Sequence, residues 1–210
     1  NGEIVLNDIQ IFTRIGTFAD YSTKVYRHEM LFTFRDIADN FTFYLKNWID
    51  KSSFLGPVYE LYFGTFYNPS MYLNHEFLSL AQALESYHRR TFGGKYVSDE
   101  EFKPQYEAIL KAIQIDIDPD FRTSLRNKAK YLNDFSLRKR LKCILDRFGD
   151  WIVVVIKSPD LFVEDVCNTR NYLTHYDEQL ESQAKKGHAL YWLVQKMKFV
   201  LEICFLSELG

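Results

Sequence analysis

Apolar residues recur at steps of three and four along most of this chain, the spacing of a helix with one buried face. The clearest run is "NPSMYLNHEFLSLAQALESYHRRTFGG", residues 68–94, where Leu73, Phe77, Leu80, Leu84 and Tyr87 share a stripe. Pro69 suits the first helical position and the pair Gly93-Gly94 the stop. "DFSLRKRLKCILDRFGD" repeats the pattern with Leu137, Leu141, Ile144 and Phe148 and ends at Gly149. "GHALYWLVQKMKFVLEICFLSEL" does so again with Leu190, Leu193, Met197, Val200, Leu201 and Cys204. Local signals add two more helices. Ser98 and Glu101 in "SDEEFKPQYEAILKAI" have capping-box spacing, with Pro104 expected to bend or delay that helix. In "SPDLFVEDV", Ser158 can cap, Pro159 fits the first turn and Asp160 suits the positive end of the helix dipole. The run "WIVVVI" fits either a buried helical turn or a short strand.

The beginning of the chain reads differently. "EIVLNDIQIFT" and "HEMLFTFRDI" are rich in Ile, Val, Phe and Thr with partial alternation, which predicts short strands. The expected organisation is therefore residues 1–35 as the tail of an upstream domain or a linker, and residues 36–210 as a helical domain, helical from "DNFTFYLKNWID" onward. The fold class is mainly α, a helical bundle without internal repeats. The chain does not start with Met, so a fragment of a longer protein is expected.

Composition narrows the function. An apolar content of 47% is enough for one sizeable core, and the 17% of aromatic residues is more than a monomer readily hides. With a formal net charge of −2 there is no global attraction for polyanions, so RNA would have to be met by local clusters. "RNKAK" (Arg126 to Lys130) and "RKRLK" (Arg138 to Lys142) are the densest of these, either phosphate contacts or solvated faces. Three well-separated cysteines, Cys143, Cys167 and Cys204, suit buried thiols in a reducing cytoplasm better than disulfides. No apolar run approaches the ~18 residues of a membrane span. "FGGKY" lacks the remaining residues of a phosphate loop, and no histidine pair has zinc-site spacing, so neither cofactor nor metal is expected.

The stretch "CNTRNYLTHYDEQ", residues 167–179, carries the candidate chemistry. Arg170 and His175 are five residues apart, about 140° on a helix, whereas Asn171 and His175 are about 40° apart. Asn171 and His175 can line one pocket, with Arg170 reaching round to it. The same residues also fit a helix end whose Arg and His solvate the last carbonyls. Cys167, one turn before Arg170, is either a thiol activated by the cation or a small buried side chain.

"TRNYLTHYD" resembles the Arg-Asn-x3-His motif of HEPN ribonucleases. Together with "FYLKNWID" and "LYFGTFYNPSMYLNHEFLSLAQALESYHRRTF", in that order, it resembles the Apea-like branch over roughly residues 40 to 210. The resemblance implies an all-helical domain that pairs into a homodimer. It further implies a metal-independent endoribonuclease site shared between protomers, RNA as substrate, and a role in prokaryotic antiphage abortive infection, with a sensing domain upstream in the same chain. Arg170, Asn171 and His175 match the catalytic motif, and Glu85 matches an acidic position on the facing core helix. Imidazole chemistry fits proton transfer and a guanidinium fits the charge of a phosphorane. Glu85 would fix the tautomer of His175 or the pose of Arg170, or is an ordinary helix carboxylate. The alternative function is a noncatalytic dimerisation or nucleotide-binding module that retains the motif.

Overall fold

A computed structural model describes residues 32–68 and 70–210. The helices in chain order are α1 (Phe34–Ile37), α2 (Phe41–Tyr67), α3 (Leu73–Phe92), α4 (Asp99–Ala112), α5 (Pro119–Ala129), α6 (Leu137–Arg147), α7 (Gly149–Ile152), α8 (Pro159–His175), α9 (Glu178–Glu181) and α10 (Gly187–Leu209). The described residues contain no strand, only an isolated bridge between Lys95 and Asp134. The expected strand in "EIVLNDIQIFT" lies outside the described residues. The described end of "HEMLFTFRDI" is helical instead, because the Asp36 carboxylate reaches back to the Thr33 N–H at 2.7 Å and closes the turn of α1. Contacts divide the chain between Phe41 and Thr42, and the second unit, Thr42–Gly210, carries the bundle.

Within that unit α3 is the central helix, packed against α10, α6 and α8. Its stripe of Phe77, Leu80, Leu84 and Tyr87 is buried as the spacing requires, and so are Leu141, Ile144 and Phe148 and all six residues expected on α10. Each fully buried Leu or Phe contributes roughly 1.5–3 kcal/mol. From α2, Leu55, Val58 and Tyr62 join this core. The Tyr62 hydroxyl donates to Glu202, and Asn47 donates to the carbonyl of Leu209 at 2.7 Å, tying α2 to α10.

Three helix starts depart in some detail from the sequence reading. Helix α3 begins at Leu73, not at Pro69, because Tyr72 is extended at φ −62° and ψ 138°; Pro69 itself is outside the described residues. The capping box of α4 forms as expected, Ser98 and Glu101 exchanging bonds of 3.0 and 3.2 Å, but the helix starts at once and runs through Pro104. The missing N–H would have bonded the carbonyl of Glu100, an exposed residue, so water can take its place. Ser158 stands at the N-cap of α8 but its side chain caps nothing, although Pro159 does open the helix. "WIVVVI" resolves as the end of α7 followed by a turn, with Ile152 and Ile156 buried and Trp151 and Val154 exposed.

The charged run "RKRLK" contains a core residue. Arg140 is 1% exposed, and its guanidinium donates to the carbonyls of Gly93 at 2.7 Å and Phe135 at 3.1 Å and faces His88 Nδ1 at 3.1 Å. An arginine can only donate, so His88 accepts at Nδ1 and holds its own proton at Nε2. Burial, and then the Arg140 charge, lower the His88 pKa from 6.5 to about 4. Between those two values the unfolded chain binds a proton that the folded chain refuses, so this group's contribution to stability falls as pH drops through that window and levels off below it. Urea midpoints measured at pH 7 and pH 5 should show the loss, and His88→Gln should reduce it.

Candidate functional site

Helix α8 owes its position to Phe162, Val163, Val166 and Leu173, which bury one face against the core. Its last residue is His175. The chain then turns at Tyr176, a left-handed residue at φ 51° whose N–H bonds the carbonyl of Tyr172 at 2.6 Å. A bulky side chain rarely adopts that conformation, so the motif ends on a locally strained turn. The turn leaves His175 exposed, at the end of the helix.

A cleft of about 300 Å³ opens between α3, α8 and the start of α6. From α3 come Leu78, Ala81, Gln82 and Glu85, positions that follow one helical stripe. Leu137 closes it from α6, and Arg170 and Thr174, one turn apart, face it from α8. The structure thus brings Arg170 and Glu85 to one cleft and leaves His175 and Asn171 out of its lining. The pocket expected to be shared by Asn171 and His175 is not this cleft, because the helix turns the Arg170–Thr174 stripe inward and the Asn171–His175 stripe aside. Asn171 remains coupled to it: its Oδ1 accepts from Arg170 Nη1 at 3.2 Å.

Glu85 bonds neither His175 nor Arg170 among the described residues. Its Oε1 pairs with Arg89 at 3.3 Å, and Arg89 also reaches Asp134 at 3.4 Å. Both partners of the Glu85 pair are partly solvated, so the ion pair is worth only about 0–1 kcal/mol. Gln82 is exposed and its side chain makes no hydrogen bond among the described residues, whereas the Thr174 hydroxyl donates to the carbonyl of Arg170 at 2.7 Å. Cys167 is buried, and burial raises its thiol pKa against the opposing effect of Arg138 and Arg170. It is a core thiol. No group of three His, Cys, Asp or Glu side chains among the described residues is arranged to hold a metal ion.

A family model described as Apea-like HEPN matches residues 78–210, more than half of the chain. The chain belongs to the Apea-like HEPN family. No curated protein and no solved structure gives a match. The matched part of this HEPN domain begins inside α3 and contains Glu85, Arg170, Asn171 and His175, while "FYLKNWID", which contributed to the resemblance, lies ahead of it. Membership in the family points to a nuclease or a nucleotide-binding-like module. Among the described residues no helix is long and apolar enough to cross a membrane.

Of the two basic runs, only "RKRLK" adjoins the cleft, and it is only partly available. In "RKRLK", Arg140 is buried, Lys142 pairs with Asp160 at 2.7 Å and Lys139 lies over the Phe135 ring, leaving Arg138 exposed near the cleft residue Leu137. In "RNKAK", Arg126 and Lys128 are exposed on α5, which pairs with α4. Sequence reasoning missed Gln82 and Thr174. Thr174 was legible as the residue one turn beyond Arg170, and Gln82 as a polar group three positions before Glu85.

Proposed function

We propose that this HEPN domain is a metal-independent endoribonuclease that works as a homodimer, with Arg170 and His175 as its catalytic residues. The observation that carries the reading is the division of labour on α8. Arg170, oriented by Asn171, faces a mixed polar and apolar cleft, while His175 stands exposed at the end of the same helix. In the reaction the substrate's 2′-hydroxyl loses its proton to an imidazole and O2′ bonds the adjacent phosphorus. The P–O5′ bond breaks, and the leaving oxygen takes a proton. The Arg170 fork grips nonbridging oxygens and offsets the charge that grows on them. One motif histidine per protomer does not readily serve both proton transfers, so a twofold pair that brings two motif helices together completes the site. Exposed Trp151, Val154, Tyr191 and Trp192 are consistent with surface that a partner covers.

The dimer is expected by light scattering at micromolar concentration, and a monomer there contradicts this part of the reading. Cleavage is expected to survive EDTA, because a guanidinium and an imidazole supply the charge and the protons. Loss of activity restored by Mg²⁺ or Mn²⁺ would mean another mechanism. The setting we propose is antiphage abortive infection, so expression of the active protein should arrest its host and His175→Ala should relieve the arrest. A second reading is favoured by one observation: His175 is not among the residues lining the cleft, so in one protomer alone Arg170 offers anion recognition with no imidazole beside it. In that reading the domain binds nucleotides and cuts nothing, and the host tolerates both forms equally.

A further inference from the structure

The cleft beside Arg170 has a polar edge for which the proton transfers have no use. Gln82 and Glu85 stand three residues apart on α3, about 60° from each other, above an apolar floor of Leu78, Ala81 and Leu137. Among the described residues the Gln82 side chain has no partner, and Glu85 is held only through Oε1 by the half-exposed Arg89. An apolar floor, two hydrogen-bonding side chains at its rim and an arginine at one side match a nucleotide: floor for the base, rim for its edge, Arg170 for its phosphate. The volume, about 300 Å³, lies at the small end of ligand pockets, which suits one nucleotide rather than a longer segment.

We propose that this cleft is a base-reading subsite and that Glu85 and Gln82 select guanine next to the scissile phosphate. The inference rests on the nuclease reading for its place in the reaction, but the recognition itself does not. A carboxylate offers acceptors only. Among the four RNA bases guanine alone presents two adjacent donors, N1–H and N2–H, on its Watson–Crick edge, so it alone can satisfy both oxygens of one carboxylate. Its O6, next along that edge, accepts from the Gln82 amide. Adenine sets the lone pair of N1 against the carboxylate, cytosine does the same with N3, and uracil flanks its single N–H with two carbonyls. Each of these leaves repulsion or an unpaired group at the site, the situation in which hydrogen-bonding sites discriminate most strongly. The ion pair to Arg89 engages Oε1 and leaves Oε2 without a protein partner among the described residues.

The test uses the whole chain and hexameric RNAs with 2′-fluoro riboses, which cannot be cut, identical except for one central base among uridines. The guanine hexamer is expected to bind at least about tenfold more tightly than the adenine, cytosine and all-uridine forms, the scale of one good bidentate base contact. Glu85→Gln, a near-isosteric change at a partly solvated position, should erase that preference and move it toward adenine. Gln82→Ala should weaken the guanine hexamer alone. Equal affinity for the four hexamers, no binding to any of them, or a guanine preference untouched in a natively folded Glu85→Gln protein would overturn the proposal. Mapping the ends of cleaved natural RNA separates it from the nuclease reading. Cuts without guanine bias overturn the subsite, whereas guanine-selective binding with no cleavage of any RNA overturns the nuclease and keeps the subsite.

Discussion

Replacing His175 with alanine is expected to slow RNA cleavage by about 10²- to 10⁴-fold, the usual contribution of a positioned acid or base. Affinity for RNA and the unfolding midpoint should stay nearly unchanged. The fold is insensitive because His175 is the last residue of α8, exposed, and has no hydrogen-bond partner among the described residues. Arg170→Ala should cost about 10²- to 10³-fold for a different reason, the loss of a donor aimed at charge that develops in the transition state. Some affinity should go with it, since Arg170 faces the cleft in the ground state too. Arg170→Lys is expected to recover little, because an ammonium cannot form the two parallel bonds of the fork and cannot be held by Asn171 in the same pose. Single-turnover rates with excess enzyme, set beside binding curves for the same RNA, separate the two effects.

The largest stability loss is expected from Arg140→Met. Methionine keeps the volume of the stem but strands the carbonyls of Gly93 and Phe135 and the Nδ1 of His88, all now facing the guanidinium. The His88 ring is buried, whereas Gly93 is exposed and Phe135 half-buried, so water reaches part of what is stranded; at roughly 1–3 kcal/mol per unsatisfied buried acceptor, a total of about 2–4 kcal/mol is expected. For a chain of this size that corresponds to a fall of about 10 °C in Tm. Gly94 belongs to the same cluster. It sits at φ 123°, and a Cβ there would collide with the Arg140 guanidinium, so Gly94→Ala should be destabilising as well. Thermal unfolding followed by circular dichroism measures both.

That cluster also marks where the sequence was legible and where it was not. Gly93-Gly94 reads as a helix stop from residue type alone, and both residues do have positive φ after α3. Nothing local says that the second glycine also makes room for an arginine 46 residues away. The burial of Arg140 had a visible signal all the same: it lies three residues after Leu137 and four before Ile144, on the apolar stripe of α6, and the charged run around it disguised this. The stripes of α3, α6 and α10 were legible because a single periodicity decides them, and the cap of α4 because two side chains three residues apart form it alone. The start of α3 was not, because a proline permits a helix start without requiring one.

The same distinction holds at the candidate site. The angle between Arg170 and His175 follows from helix geometry and was readable beforehand. Which of the two faces α3 depends on how α8 is rotated in the bundle, and burial of Val163, Val166 and Leu173 sets that rotation. The partner of Glu85 could not be foreseen as Arg89 in preference to Arg170, since an i,i+4 pair and a tertiary pair compete for one carboxylate.

The central claim is that the nucleophile belongs to the RNA itself, with Arg170 and His175 of this HEPN domain assisting it. The most direct measurement takes an RNA cut at a mapped position and replaces the single 2′-hydroxyl there by hydrogen. The account predicts that the unmodified RNA yields a 2′,3′-cyclic phosphate and a 5′-hydroxyl, and that the 2′-deoxy RNA is bound but not cut at that position. Cleavage of the 2′-deoxy RNA at the same rate, in a preparation whose activity disappears with His175→Ala, would contradict it.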